Sequence, residues 1–316
     1  MELGNQPPQA SGRIKLLCLA FAALVGAILL GTIGVGVRHP EPPTDDVRLE
    51  RQIQQLSAQI QQLKQEEAMP AMVLNRYRDS ICYIYGVYHV GKPGQRPGLR
   101  ARVSGTGFVV ADGLIATNRH VAEPWYEDPD SDALMSRGST PTLEKLIAFF
   151  PGSPTPVTIT PIVLSANTDL AVLRLESRPT DRELSPLPLA STAPPPGDLV
   201  TVIGYPMGIA GMVAKSPAAV YERLAYRHDD MGAANELAAL SLIRPSATVG
   251  HLGDVVVDKL IYDAPTAHGG SGGPVFNSRG EVIGINAAYI DGFSGGTLGV
   301  SVQALKPLIT AAQKKR

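Results

Sequence analysis

The chain has 316 residues, a formal net charge of -1 and 44% hydrophobic residues. Such a nearly neutral chain lacks the clustered excess of Lys and Arg that nucleic-acid binding normally requires, so nucleic acid is not expected as a partner. Val, Ile and Thr are frequent after residue 70, and 27 prolines and 32 glycines divide the chain into short pieces. This texture is typical of an all-β protein.

The sequence gives no reason to expect a metal, a cofactor or a disulfide. Its six histidines are scattered, without the paired spacing of metal ligands. Cys18 lies in an apolar run and Cys82 in a predicted buried strand, so the two are not expected to pair. Cysteine usage leaves the redox compartment open.

The N-terminal region predicts a membrane anchor. Residues 1–13 form a short tail, and Leu16 to Val37 are 22 consecutive residues without a charge. A helix of that length spans roughly 33 Å, close to the hydrocarbon thickness of a bilayer. The alternative is a cleavable signal peptide, but its apolar core is usually about 7–15 residues and a small-residue cleavage site follows it. We therefore expect an uncleaved signal anchor over 14–37, with the N-terminus cytoplasmic and the remainder translocated.

Residues 38–69 are predicted to form a linker and a coiled-coil stalk. After the break EPPTDD, apolar residues recur at spacings of 4, 3, 4 and 3, a heptad seam with Ile at a and Leu at d. These residues are Leu49, Ile53, Leu56, Ile60 and Leu63. We hypothesise that residues 47–67 self-associate in parallel; the alternative is a lone amphipathic helix lying on the following domain. Met69-Pro70 is expected to end the helix.

Residues 70–316 are predicted to form one domain of two β-barrels, because so long a stretch exceeds most single sandwiches. Candidate strands lie at 81–90, 105–117, 156–165, 169–176, 199–206, 254–265, 273–277, 280–290 and 297–302. Two segments, 122–146 and 216–243, interrupt the β pattern and are interpreted as surface insertions. The second has helical spacing.

Three short stretches carry candidate catalytic residues. His120 follows a predicted strand, Asp169 opens another after a polar turn, and Ser271 lies in HGGSGGPVFN among four glycines. Acyl transfer from a peptide needs a hydroxyl nucleophile, an imidazole base and a carboxylate that fixes the imidazole tautomer. Glycines expose backbone amides that can stabilise the developing oxyanion. Each stretch alone is more often ordinary: a packed histidine, a capping aspartate or a flexible Gly/Ser linker.

Together and in this order, the stretches resemble the trypsin-like (chymotrypsin-fold) serine proteases, and most of all the HtrA/Deg type. The resemblance is carried by SGTGFVV, IATNRHV, TDLAVLRL, IGYPMG and GGSGGPVFNSRGEVIGIN, and it covers roughly residues 80–310. It implies a double six-stranded antiparallel β-barrel and a serine endopeptidase acting on polypeptides. Unlike in many HtrA-type proteins, no PDZ domain is expected after the barrels. It makes His120 the general base, Asp169 its orienting partner and Ser271 the nucleophile.

The resemblance also implies an oxyanion hole formed by the amides of Gly269 and Ser271. The family generally has Asn or Asp where this chain has Gly270. A glycine permits peptide flipping, so we hypothesise that the hole is not permanently formed.

Substrate-binding residues follow from the same resemblance. Thr266 would line the primary specificity pocket, and Asn286, Ala287 and Ala288 would form the strand that pairs with the substrate backbone. Pro265 stands where members that cleave after Lys or Arg place an acidic residue. The expected preference is for small or medium apolar side chains.

The biological setting implied by the resemblance is the cell envelope. It places the protease domain on the periplasmic side of a single-pass inner-membrane anchor, where it would clear or process misfolded or membrane-near proteins. The alternative is a non-catalytic binding or scaffold protein with a protease-like fold. All three chemical residues are present, which favours the enzyme.

Overall fold

The computed structural model of the protein describes residues 45–179, 184–289 and 296–315. The predicted anchor over 14–37 lies outside these ranges, and within them no helix combines the length and apolar character needed to cross a membrane. The chain divides into two compact units, the first ending at Ile60 and the second beginning at Gln61.

One long helix, α1 (Asp45–Tyr77), precedes the strands. It begins with Asp45 and Asp46, whose negative charges interact favourably with the positive end of the helix dipole. The apolar residues of the predicted stalk are each 52% to 63% exposed, and they are Leu49, Ile53, Leu56, Ile60 and Leu63. Among the described residues, each residue of the heptad seam is therefore more than half exposed.

The helix does not end at Met69-Pro70, as the sequence predicted, because Pro70 lies inside it and the helix continues to Tyr77. An interior proline removes one backbone hydrogen bond and costs roughly 3 kcal/mol. Burial next to the proline and in the turns that follow it offsets this cost, since Met69, Val73 and Tyr77 are all buried. The ring of Tyr77 also stacks on Phe276 with the ring centroids 5.6 Å apart. The last turns of α1 thus belong to the domain core.

The β-strands close into two barrels. The strands are β1 (Ile81–Gly91), β2 (Leu99–Ala111), β3 (Leu114–Thr117), β4 (Thr140–Phe149), β5 (Val157–Leu164), β6 (Ala171–Leu175), β7 (Leu199–Gly204), β8 (Ser246–Val256), β9 (Lys259–Tyr262), β10 (Pro274–Phe276), β11 (Val282–Tyr289) and β12 (Thr297–Ser301). Their order is β1-β2-β3-β6-β5-β4 in the first barrel and β10-β11-β12-β9-β8-β7 in the second. Neighbouring strands are antiparallel, as in the pairs β1 with β2 and β7 with β8. The predicted double six-stranded antiparallel β-barrel is confirmed.

Strand β4 corrects the sequence interpretation of residues 122–146 as a surface insertion. Residues 140–146 lie in this strand, which pairs with β1 in the first barrel. Only the last four residues of β4, Leu146 to Phe149, are fully buried, whereas the first half is partly or wholly exposed. The polar first half therefore lacked the apolar pattern by which the other strands were recognised.

Six shorter α-helices are described besides α1, and a 3-10 turn, Arg78–Ser80, follows α1 directly. The six α-helices are α2 (Arg119–Ala122), α3 (Pro129–Met135), α4 (Gly208–Ala214), α5 (Ala218–Leu224), α6 (Asp230–Ala239) and α7 (Val302–Lys314). Helices α5 and α6 confirm the helical spacing predicted in 216–243. Leu224 and Leu237 of these helices are buried in the main core, so the segment packs on the domain.

The two barrels share one core. A single buried cluster contains Phe108 of β2, Ile203 of β7 and Phe276 of β10, and each barrel has a further apolar interior of its own. Close packing of this shared core fixes the strand ends from which the site is built.

Candidate active site

A cleft with a volume of about 740 Å³ brings together the three residues singled out in the sequence. His120, Asp169 and Ser271 all line it. The first two come from the first barrel and the third from the second. Residues far apart along the chain therefore face one space.

Strand pairing explains why His120 meets Asp169. Thr117 at the end of β3 pairs with Ala171 at the start of β6, so the residues just beyond these ends are neighbours. His120 Nδ1 lies 2.7 Å from Asp169 Oδ2, and the His120 backbone amide donates to Asp169 Oδ1 at 2.9 Å. The side-chain amide of Asn118 donates to the Asp169 carbonyl at 2.8 Å. Both carboxylate oxygens are thus occupied by the histidine.

This pairing selects one state of the imidazole. An ionised carboxylate only accepts hydrogen bonds, so the nitrogen facing it carries the proton. In the neutral ring Nε2 is then left with its lone pair, which suits it to accept a proton. Among the described residues no hydrogen bond joins His120 to Ser271, whose Oγ donates instead to the Ala287 carbonyl at 3.0 Å.

The loop that carries Ser271 is held through its carbonyl groups. Those of residues 268 to 271 accept, in order, from the Met207 amide at 2.6 Å, the Thr106 hydroxyl at 2.7 Å, the Asn286 side-chain amide at 2.9 Å and the Thr106 amide at 2.7 Å. In a planar trans peptide the next N–H points away from the carbonyl. Within the described part of the chain, the amides of Gly269 and Ser271 have no acceptor, so both are available to a ligand. The Gly270 amide, by contrast, donates to the Ala267 carbonyl.

The hypothesis of an impermanent hole stays a prediction. In the arrangement described here every carbonyl from residue 268 to residue 271 has a donor, although residue 270 lacks a side chain.

Glycine is required at two positions of the loop. Gly269 and Gly272 have φ angles of +89° and +87°, in the region that residues with a Cβ rarely adopt. A Cβ on Gly269 would lie 2.6 Å from the Tyr205 carbonyl oxygen, and one on Gly272 would overlap the Thr106 carbonyl oxygen. Close approach of backbone to backbone therefore accounts for these glycines.

Three of the four predicted substrate-binding residues line the cleft. Thr266, Asn286 and Ala287 line it, while the backbone of Ala288 pairs with Leu298 in β12. The sequence placed Asn286 only by its backbone and did not identify the role of its side chain.

Two further residues were not assigned as site residues from the sequence. Thr106 and Asn118 hold the serine loop and the aspartate through the bonds given above. Both lie within the motifs that surround the histidine, SGTGFVV and IATNRHV, so a signal was present, but their partners are remote in sequence.

An ion pair connects the helical segment to the rim of the cleft. Arg102, which lines the cleft, bonds to Asp230 at the start of α6 at 2.5 Å. The two side chains are 54% and 39% exposed, so the pair contributes little to stability. Because Arg102 lines the cleft, this ion pair shows that the start of α6 lies beside the cleft.

Comparison with known proteins gives the following matches. The family model described as the trypsin-like peptidase domain matches residues 105–285, more than half of the chain. The "Probable periplasmic serine endoprotease DegP-like" of Chlamydia pneumoniae is 30% identical over 217 residues, which are 66% of this chain and 34% of that protein. Its counterpart in Rhizobium meliloti is 28% identical over 205 residues, 64% of this chain and 31% of that protein. The chain therefore spans about a third of the length of these relatives.

Among solved structures, the serine endoprotease from Yersinia pestis matches with a TM-score of 0.48 and 19% identity. The match covers 77% of this chain and 65% of that chain.

Proposed function

The chain belongs to the trypsin-like peptidase family, and we propose that it is a serine endopeptidase that cleaves polypeptides through His120, Asp169 and Ser271. One observation carries the proposal. The imidazole of His120 is bonded to Asp169 at 2.7 Å in the same cleft as a serine whose loop leaves two amides without an acceptor among the described residues.

In the proposed reaction, substrate binding first repositions the serine hydroxyl. The backbone N–H of the substrate residue before the scissile bond donates to the Ala287 carbonyl in place of the Ser271 hydroxyl. The substrate thereby pairs with β11 as an added strand. Rotation about the Cα–Cβ bond of Ser271 then turns Oγ from that carbonyl towards His120 Nε2.

The chemical steps then follow the logic of an acyl-enzyme. Ser271 Oγ attacks the scissile carbonyl carbon while its proton passes to His120 Nε2, and Asp169 stabilises the imidazolium. The Gly269 and Ser271 amides donate to the oxyanion. The carbon–nitrogen bond breaks as Nε2 protonates the leaving amine. Water, deprotonated by the same nitrogen, hydrolyses the ester and restores the serine.

The preference proposed for the residue before the scissile bond is a small or medium apolar side chain. Thr266, Ala267, Asn286 and Ala287, which line the cleft, carry no charge. A peptide library in which cleavage after Lys or Arg is fastest would contradict this preference.

We further place the domain on the periplasmic side of the inner membrane, anchored by residues 14–37, where it would process or clear envelope proteins. The uncharged stretch from Leu16 to Val37 and the periplasmic description of the relatives support this placement. Release of the full chain from membranes by alkaline carbonate would argue against the anchor.

Covalent labelling tests the enzymatic proposal against the alternative of a non-catalytic binding protein. A fluorophosphonate probe should modify the full chain at Ser271, and His120→Ala should abolish the labelling within the same time. His251→Ala, which removes an exposed histidine of β8, is the matched control and should label like the parent. A folded chain that takes up no probe would favour the binding protein.

A further inference from the structure

The side chain of Asn286 is a buried link between the second barrel and the serine loop. Asn286 lies on β11 and is 1% exposed. Its Nδ2 donates to the Gly270 carbonyl and to Thr266 Oγ1, both at 2.9 Å. Its Oδ1 accepts from the Tyr262 hydroxyl at 2.7 Å.

The chemistry of the partners determines the orientation of this amide. A backbone carbonyl can only accept a hydrogen bond, so the group facing Gly270 must be the NH₂. Oδ1 is then directed at Tyr262, which must donate. Tyr262 is fully buried, and burial raises the pKa of its hydroxyl well above the usual value. The raised pKa favours the protonated hydroxyl, which can donate this hydrogen bond.

The bond to Gly270 acts on the peptide that joins Gly270 to Ser271. Because that peptide is planar, fixing its carbonyl also fixes the direction of the Ser271 N–H, one of the two amides assigned to the oxyanion hole.

The same link fills the space that a side chain at position 270 would need. A Cβ built on Gly270 would lie 2.6 Å from Thr266 Oγ1 and 3.4 Å from Asn286 Nδ2. A loop with a side chain at this position would have to be held in another way. Here the amide that holds it reaches across from β11.

We propose that Asn286, oriented by Tyr262, is the positioning residue that holds the oxyanion loop of this chain in its open-amide arrangement. The proposal rests on the function proposed above for the cleft. The triad would supply the chemistry. The Gly270 carbonyl also accepts from the Gly273 amide at 3.1 Å, and Asn286 adds the side-chain bond that joins this carbonyl, and with it the direction of the Ser271 amide, to β11.

Two substitutions in the full chain test this role. Asn286→Asp keeps the shape but replaces the NH₂ by an oxygen that repels the Gly270 carbonyl. Fluorophosphonate labelling of Ser271 should slow by about 100-fold, the size of the loss when an oxyanion donor is removed. Tyr262→Phe removes the donor that orients the amide, and labelling should slow by about 10-fold.

Tyr205→Phe is the matched control. Tyr205 is as buried as Tyr262, and its hydroxyl donates to the Ile81 carbonyl of β1 at 3.0 Å, not to a residue of the loop. The Tyr205→Phe variant loses one buried tyrosine hydrogen bond, as Tyr262→Phe does, but this bond does not orient Asn286. Labelling of Tyr205→Phe should therefore stay within about 2-fold of the parent. Labelling of Asn286→Asp at the parent rate, or equal losses in Tyr262→Phe and Tyr205→Phe, would overturn the proposal.

Hydrogen–deuterium exchange separates this proposal from the proposed function. The amides of Gly270, Gly272 and Gly273 are hydrogen-bonded in the loop, and the segment 266–273 should exchange faster in Asn286→Asp and Tyr262→Phe but not in Tyr205→Phe. Unchanged exchange would refute the positioning role even in an active enzyme. Failure of the parent to label would instead refute the proposed function, while faster exchange would still support the link.

Discussion

At the scale of single residues, the site requires a glycine at position 272, because there is no room for a Cβ atom there. Gly272 follows Ser271, and its amide donates to the Asn286 carbonyl at 2.8 Å. Its Cα faces the Thr106 carbonyl so closely that a Cβ would overlap both that oxygen and the Thr117 hydroxyl. Thr106 also holds the carbonyls of Gly269 and Ser271, so a side chain at 272 would displace the residue on which the loop depends.

We therefore expect Gly272→Ala to lower the free energy of unfolding by more than about 3 kcal/mol, from left-handed strain and overlap together. Gly138→Ala is the control, because Gly138 has a similar φ of +83° but nothing within 4 Å of a built Cβ. It should cost only about 1 kcal/mol. Urea unfolding followed by the fluorescence of the single tryptophan, Trp125, measures both. Equal losses would show that the overlap is relieved without cost.

At the scale of elements, helix α1 has two different surfaces. Its last turns are buried through Val73 and Tyr77, whereas the seam from Leu49 to Leu63 is more than half exposed. Two heptads are marginal as an isolated coiled coil. Several copies tethered to one membrane would have a raised effective concentration. The seam is therefore suited to self-association and the last turns to packing.

Sedimentation of a chain comprising residues 45–316 tests the seam. We expect its mass to rise with concentration, and Ile53→Glu with Ile60→Glu to make it monomeric, because charges at a positions would be buried in the interface. Gln54→Glu with Gln61→Glu adds the same charge at outer positions and should behave like the parent. A parent that stays monomeric at the highest concentration, or a control that dissociates equally, would exclude a seam interface.

Elements also show what the sequence could and could not predict. Strands such as β1 and β11 were recognised because their apolar residues are continuous or alternate. Strand β4 was missed because its first half is exposed and lacks an apolar pattern. Its strand conformation follows from pairing with β1 and not from its local sequence. The predicted end of the helix at Met69-Pro70 was wrong. The free energy gained by burying Val73 and Tyr77 exceeds the cost of a proline inside the helix.

At the scale of the whole molecule, the cleft exists because two barrels share a core. His120, Asp169 and Ser271 could be singled out from the sequence, because each lies in a short motif and the motifs follow in a recognisable order. The link from Tyr262 through Asn286 to Gly270 was not readable, because no spacing along the chain encodes a hydrogen bond between strands of a closed barrel. The residues of the candidate site could thus be proposed from motifs, whereas the support of the loop required coordinates.

The central claim is that His120 and Asp169 activate Ser271 as one unit. The most direct test is the rate constant for phosphonylation of Ser271 in His120→Ala, in Asp169→Asn and in the double variant. We predict that each single substitution slows the reaction by about 1,000-fold or more, and that the double variant is no more than about 3-fold slower than His120→Ala. Multiplied losses in the double variant, or an Asp169→Asn variant that reacts at the parent rate, would contradict the account.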